Sequence, residues 1–576
     1  MKTKLILLDS YHINPPMAKI YHFKRCEMYS LKLVLVFIVL AVFTVSMPAQ
    51  NGSWNWAQHA GGSSDDRGVS LAMDSQGNLL VCGWFTGQAT FGGTSLTAAG
   101  SMDIFVGKLS SSGSWLWVKQ AGGTASCEAT GIAVDANNEI YVCGVLNGTA
   151  NFGIYQLSTQ GETDVFVSKL STDGDWLWAE RGGGANLDAA RDIDVAPDGS
   201  VYVAGSFYGT ATFGNNTFTS PNPSSDIFVA RLDPTGGWLW AKQAGGINYD
   251  DCFGITESGS NVYITGYFYD TAAFGDFNLS SVGNKDIYVA KLDASTGNWF
   301  NAWQAGGSDA NIGTTVNTDG EGNVYLSGSG GGVLDFGSIN VFAPGSYISK
   351  LSPQGEWLWA IQVPGGSSEK CSLRLDQNSN LIVAGSFSGV PSFGSVTLIP
   401  HGGKDIFVAG LSPQGNWLWA KAAGGNGDDL VSGMAHHANG NSYISGTFNG
   451  SCEFDGITIS SAGMKDVFVA GLNGASDVED GIAPAVSGIR LGQNFPNPFS
   501  SSSQLRVMAE KNVADCELML YDLKGRKLQT IYRGYLSKGE HSFSLDGFCA
   551  NLDSGVYFIK LKSGDYSQVK KLVKVR

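Results

Sequence analysis

Residues 174–184, GDWLWAERGGG, set two tryptophans either side of a leucine and then end in glycines. The same phrase occurs as GSWLWVKQAGG at 113–123 and GGWLWAKQAGG at 236–246. Its first tryptophan falls at Trp54, Trp115, Trp176, Trp238, Trp299, Trp357 and Trp417, spaced by 61, 61, 62, 61, 58 and 60 residues. A fixed period of this size marks a repeat architecture and has to be read before any local pattern. Between tryptophan phrases the order is constant. DIDVAPDGSVYVAGSFYGTATFG (192–214) is followed by SDIFVARL (225–232), as GIAVDANNEIYVCGVLNGTANFG (131–153) is by TDVFVSKL (163–170).

Each repeat holds four strand candidates. In DIFVARL the two alternating faces are both largely apolar, as expected of a strand packed between two sheets. Turns such as DSQGN (74–78) and DGEGN (319–323) supply a glycine for positive φ and an Asp that bonds its own backbone. About sixty residues forming one four-stranded antiparallel sheet is a propeller blade, and seven repeats predict an all-β, seven-bladed β-propeller over residues 50–472. The first repeat begins with a lone tryptophan strand and the seventh ends at DVFVAGL (466–472) without one, so the N-terminal strand is expected to complete the last blade and leave no open edge. The pairs Trp115/Trp117, Trp176/Trp178, Trp238/Trp240, Trp357/Trp359 and Trp417/Trp419 are expected to cement each blade to its neighbour, with the phased phenylalanines from Phe91 to Phe454 sharing that role. The fifth copy departs, with Asn301 for the second tryptophan and Gly345 for the aspartate before the aromatic strand.

These phrases resemble the bacterial β-propeller repeat typified by GNVYVTG, DIFVAKL and G-W-W motifs, a family that implies a fold and an extracellular setting but no particular activity. A polar linker, 473–488, leads to a different piece, 489–576. Its phrases FPNPF, YDLKGR, SGVYF and KKLVKV closely resemble the C-terminal sorting domain of the type IX secretion system. The resemblance rests on Pro496, Asn497, Pro498, Phe499, Tyr521, Asp522, Gly525, Arg526, Gly555, Tyr557, Lys570 and Lys571. It implies a small β-sandwich and an outer-membrane translocon as partner. Upstream, Lys32 and the apolar run Leu33–Phe43 read as a signal peptide, too short to span a bilayer. Cleavage is expected after Ala49, with Met28 as the true start of the 1–49 leader.

Composition bounds the function. Charged residues are only 15% of the 576. Residues 50–488 carry 16 Lys/Arg against 41 Asp/Glu, and 489–576 carry 14 against 8. An acidic propeller is a poor partner for nucleic acid or anionic lipid, and suits cations, neutral glycans or protein. The nine cysteines show no zinc spacing. Cys82 and Cys143 fill a slot that elsewhere holds Ala, Thr or Ser, so packing explains them. Cys516 and Cys549 could be paired or free.

The glycine-loop rim collects Asp65, Asp66, Glu128, Asp188, Asp250, Asp251, Asp428 and Asp429. They read either as solvated loop carboxylates or as a ligand face for a glycan or for weakly held calcium, at millimolar rather than micromolar levels. No cofactor, resident metal or catalytic constellation is expected. STDGDWLW lacks the spacing of a sialidase Asp-box, no DxDxDG loop occurs, and His436–His437 have no third ligand. Asp103, Asp164, Asp226, Asp286, Asp405 and Asp466 precede one strand in six repeats and are expected to cap its turn. The reading is a secreted or surface-attached, non-catalytic binding or scaffold module. A glycosidase or lyase using two acids from different blades is the rival.

Deleting 489–576 is expected to strand the protein in the periplasm of a host with type IX secretion. Secretion of the truncated chain at the normal level would overturn the assignment.

Overall fold

The computed structural model describes residues 52–474, apart from 222–223 and 367–369, and 489–575 with short omissions at 492–498, 501, 510, 523–525, 550–551 and 564–565. The leader with Ala49, most of the linker, Pro496, Asn497, Pro498 and Gly525 lie outside the described residues.

Among the described residues of 52–474 the strands pair as seven antiparallel four-stranded meanders. The third shows the pattern: Asp188–Val195, Val201–Tyr208, Ser225–Leu232 and Trp238–Gly246 hydrogen-bond in sequence order. Its central strands are buried along nearly their whole length, which is why they read as continuous apolar runs rather than alternating ones. The phrase TATFGNNTFT folds into a small hairpin, Thr210–Phe213 with Asn216–Thr219, that pairs back onto Gly183 and Gly184 of the preceding tryptophan strand. The glycines are where one sheet is handed to the next.

The N-terminal strand Trp54–Gly62 pairs antiparallel with Ile457–Leu472, Trp54 facing Leu472 and Ala60 facing Val467. Its far end, Ala60–Gly62, pairs with Gln88–Phe91 of the first meander. First strands of successive meanders lie side by side, and the seventh, Leu430–His436, lies beside the first, Asp66–Met73.

The tryptophan pairs divide the labour that the sequence assigns to both together. The first of each pair packs within its own meander against the phased phenylalanine, as in Trp176 on Phe152 at 5.2 Å and Trp417 on Phe393 at 4.8 Å, both edge-to-face. Trp115, Trp238 and Trp357 do the same on Phe91, Phe213 and Phe336. The bridging falls to the second: Trp178, Trp240 and Trp359 donate their indole N–H to Pro234, Ala294 and Pro413 carbonyls in the next meander's turn. Where Asn301 replaces a second tryptophan, Trp303 takes over, its indole lying against Gly355 of the following turn.

Trp117 and Trp419 correct the expectation that every second tryptophan is a buried cement. Both are only half-buried. Trp117 reaches the next meander by packing, its ring 3.1 Å from where a β-carbon on Gly174 would stand, with the Lys119 stem against the same glycine. The Trp419 Nε1 lies over Gly410 of its own meander, which holds the place of the lysine or arginine found in five other repeats. Cys82 and Cys143 are buried free thiols, in keeping with a packing role.

In 489–575 two sheets, one of Ile489–Leu491, Gln504–Ala509 and Gly539–Ser544, the other of Val513–Asp522, Lys527–Leu536, Gly555–Ser563 and Tyr566–Lys574, share an apolar core built on Leu505, Leu518, Ile559 and Leu572. A four-residue helix, Asp546–Cys549, accompanies them. Cys516 is a buried free thiol.

Trp54 is buried, lies 5.0 Å from Phe454 and donates its indole N–H to Ala422 O at 3.1 Å. Trp54→Ala is therefore expected to cost about 3–5 kcal/mol, and removal of 50–60 more, against about 0.5 kcal/mol or less for Leu116→Ala on an exposed position. Equal melting temperatures for Trp54→Ala and Leu116→Ala would show that the closing strand adds nothing.

Candidate functional site

Five of the eight acids of the glycine rim are buried rather than solvated. Asp66, Asp188, Asp250 and Asp429 are each 0% exposed. Each sits four residues after the second glycine of a tryptophan strand and turns back to accept its N–H: Gly62 to Asp66 at 2.7 Å, Gly184 to Asp188 at 2.6 Å, Gly246 to Asp250 at 2.7 Å and Gly425 to Asp429 at 2.7 Å. The other carboxylate oxygen takes an N–H from the aspartate's own meander: Thr86 for Asp66, Tyr208 for Asp188, Tyr269 for Asp250. One side chain thus satisfies donors in two sheets.

A second aspartate meets it from the preceding meander. A β-carbon on Gly183 would lie 2.6 Å from Asp164 Oδ1 and 2.7 Å from Asp188 Oδ2, and on Gly245 it would sit 2.8 Å from Asp250 Oδ2 and 2.9 Å from Asp226 Oδ1. Both glycines have φ of +138°, so neither the space nor the backbone tolerates a side chain. The strand-preceding aspartates cap their turns as expected: Asp103, Asp164, Asp286, Asp405 and Asp466 each accept the N–H four residues back. Burial, reinforced by the neighbouring aspartate, pushes Asp66 up to about 6, Asp188 and Asp429 to about 7 and Asp250 to about 8.

The other rim acids scatter. Asp251 is buried and pairs with Arg191 at 3.1 Å. Asp65 and Glu128 are half-buried, and Asp428 is exposed with one oxygen on the Lys404 N–H. Among the described residues no three His, Cys, Asp or Glu side chains converge as a metal site.

The first strands surround a channel of about 320 Å³ in which the third meander alone contributes two acids, Asp192 and Asp194, and the sixth contributes Lys370 and Arg374. Burial raises Asp194 to about 6 and lowers Arg374. The acids staple adjacent sheets: Asp192 accepts from Ile193 and Ile255 N–H, and Asp194 from Val195 and Glu257 N–H. DIDV and RL look like ordinary repeat drift, and only the ring geometry makes them neighbours.

The larger space, about 590 Å³, opens on the opposite rim from the one singled out in the sequence. It lies at the seam where the N-terminal strand meets the seventh meander, beside Trp56 and Tyr443, whose rings are 6.1 Å apart and 33° from parallel. In four other meanders this position is filled. Lys108, Lys169, Arg231 and Lys350 on the third strand pair with a turn acid: Asp74 at 3.0 Å, Glu139 at 2.5 Å, Asp198 at 3.6 Å and Asp319 at 3.8 Å. Lys169 and Lys350 also lie 4.9 and 4.8 Å over the tyrosines equivalent to Tyr443. At the seam the cation is Gly471 and the turn aspartate is His437, so both members of the ion pair are gone. His437 still holds the turn, its Nδ1 accepting the Asn439 N–H at 3.0 Å. That bond places the ring proton on Nε2. The sequence signal was DVFVAGL, where five repeats end in KL or RL, combined with His437 in place of the turn aspartate that the sixth repeat, DIFVAGL, keeps as Asp376.

Of the sorting residues, Phe499 is buried and exchanges backbone hydrogen bonds with Val573 and Val575. Asp522 holds Arg526 at 3.1 Å, Tyr557 donates to Asp553 O, and Gly555 faces Lys574. Tyr521 and Lys570 are half-buried on strands of the second sheet, and Lys571 faces Phe558.

Residues 493–575 match the family model of the secretion system C-terminal sorting domain. An uncharacterized WD repeat-containing protein of Acanthamoeba polyphaga mimivirus is 23% identical over 503 residues, covering 68% of this chain and 36% of the relative. The regulatory protein FlaEY of Caulobacter vibrioides is 25% identical over 351 residues, covering 54% and 35%. The chain thus spans about a third of the length of these relatives. Among solved structures, a glycoside hydrolase family 43 arabinoxylan arabinofuranohydrolase from Bacillus subtilis is 10% identical and overlaps 92% of this chain and 98% of that one at a TM-score of 0.28, too low to carry an argument.

The clamp carboxyls titrate near 3.9 when unfolded. Their raised folded values mean that the folded chain holds these protons more tightly. The stability they add is full below about pH 4 and lost as pH rises through about 6–8. The melting temperature is expected to fall between pH 5 and 9, and Asp250→Asn to flatten the upper part of that fall. A melting temperature that rises across this range would contradict the assignment. Asp250→Ala, which orphans two buried N–H groups, is expected to cost about 1–3 kcal/mol for each.

Proposed function

We propose that the protein is an exported binding module: a seven-bladed propeller spanning 50–472, closed by Trp54–Gly62, delivered to the cell surface or beyond by the type IX translocon through its C-terminal sandwich. The sorting-domain match supports export. The ring-wise contacts of first strands support closure and the blade count.

The observation that carries the binding reading is the seam groove. At the seam the repeat loses both its third-strand cation and its turn aspartate, and the resulting space is large enough for a small ligand. No cofactor enters this reading. Weak calcium binding would fall to Asp65 and Asp428, because the buried acids are committed to backbone donors. A second reading, a glycan-active enzyme, is favoured by one feature: Asp192 and Asp194 are unique to one blade, and burial lifts Asp194 toward neutrality.

The two readings separate on turnover. Purified full-length chain incubated with plant and bacterial polysaccharides is expected to release no new reducing ends. Release that is lost in Asp194→Asn would replace the binding reading by catalysis in the channel.

A further inference from the structure

We propose that the seam groove between the seventh and first meanders is a neutral saccharide site, with Trp56 as its stacking platform and the surrounding amides as its hydroxyl partners. This rests on the binding-module reading and names the ligand class for its groove.

The chemistry follows from what lines the groove. Asn55, Gln76, Asn439, Asn441 and Asn473 present carboxamides, and Ser111 and Ser112 come from the facing turn. No Asp, Glu, Lys or Arg is among the lining residues, although the region as a whole is strongly acidic. Carboxamides both donate and accept, as hydroxyl groups do, so a polyol can satisfy them without leaving a charge unpaired. An ionic ligand would find no counter-charge here.

Trp56 is half-buried, its indole N–H anchored on Ser111 O at 3.0 Å with Tyr443 packed beside it. An aromatic ring fixed in this way offers a flat apolar face for the C–H side of a sugar ring. His437 adds a donor, since its Nδ1 is occupied by the Asn439 N–H and its Nε2 lies over the Gly77 turn, 3.6 Å from where a β-carbon on that glycine would stand. Asn55 and Asn473 bond to each other side chain to side chain across the closing strand, fixing one lip.

The groove exists because residue 471 has no side chain. A β-carbon there would come 2.6 Å from Trp56 Nε1, so the indole lies directly over this glycine, where other meanders carry a lysine or arginine. Restoring the repeat's own ion pair should close the site by a means that four other meanders already accommodate. Gly410 in the sixth meander carries the same glycine under Trp419 but without the histidine, since its turn keeps Asp376, and it serves as the control.

The test uses the full chain, with tryptophan fluorescence and calorimetry to follow maltohexaose, cellohexaose, xylohexaose and mannohexaose. A hexagalacturonate and a neutral Gly/Ser/Asn hexapeptide are the comparators. At least one neutral hexasaccharide is expected to bind with a dissociation constant of roughly millimolar or below. Gly471→Lys with His437→Asp, which requires the Trp56 indole to shift, is expected to weaken it at least tenfold in a chain that still melts cooperatively, while Gly410→Lys leaves it within twofold. If the double variant does not fold, Gln76→Ala on the exposed turn is expected to weaken binding severalfold instead. Failure of every neutral sugar to bind, or binding indifferent to these groove changes, overturns the proposal. Peptide binding that the double variant abolishes would overturn the saccharide class while leaving the binding module standing. Cleavage of the sugars without groove dependence would overturn both.

Discussion

A ring of separate sheets leaves backbone donors facing each junction, where no ladder partner exists, and in this molecule buried carboxylates meet that need. Asp66, Asp188 and Asp250 each accept one N–H from the sheet before and one from the sheet after. The bond length and direction fix how closely the sheets approach, and the glycine facing the carboxylates must remain a glycine. On the other rim Trp178, Trp240 and Trp359 follow the same logic, their indole N–H groups spent on carbonyls in the next meander. Between these two rows of cross-sheet bonds the apolar strands need only fill space.

The clasp also explains the ends of the described repeat. Gly62 belongs to the closing strand and Asp66 to the first meander, so the bond between them joins the first meander to the seventh through Ile457–Leu472. The contact between the first and seventh meanders is therefore the repeated one rather than a special one. What differs at the seam is the opposite rim, where the missing lysine and aspartate leave Trp56 and Tyr443 beside open space.

Much of the fold was legible in the sequence because repetition removes ambiguity: a short apolar run such as DIFVARL is a strand with more certainty when it returns seven times. The site was less so. A carboxylate folded back onto two backbone donors and one pointing into water occupy the same kind of Gly-rich loop, so Asp188 and Asp250 read as surface. The tryptophans read as one unit because two residues apart implies one face, but a register shift between Arg231 and Leu232, opposite Trp238 and Trp240, separates their roles. Even the second tryptophans are not equivalent: Trp178 and Trp240 are buried, while Trp117 and Trp419 are half-buried. The groove turns on a single glycine in DVFVAGL, whose meaning lies in a partner, His437, thirty-four residues earlier. The channel charges share one space only because the first strands of the third and sixth meanders both line it.

The binding reading proposed above places function where the repeat is broken, not where it is kept. The measurement that addresses this most directly is a crystal structure of the full chain soaked with neutral hexasaccharides. Sugar density over Trp56, with hydroxyls on the carboxamides of Asn441 and Asn473, is the expected result. Density confined to the glycine-loop rim or to the channel beside Asp194, with the seam empty, would contradict it.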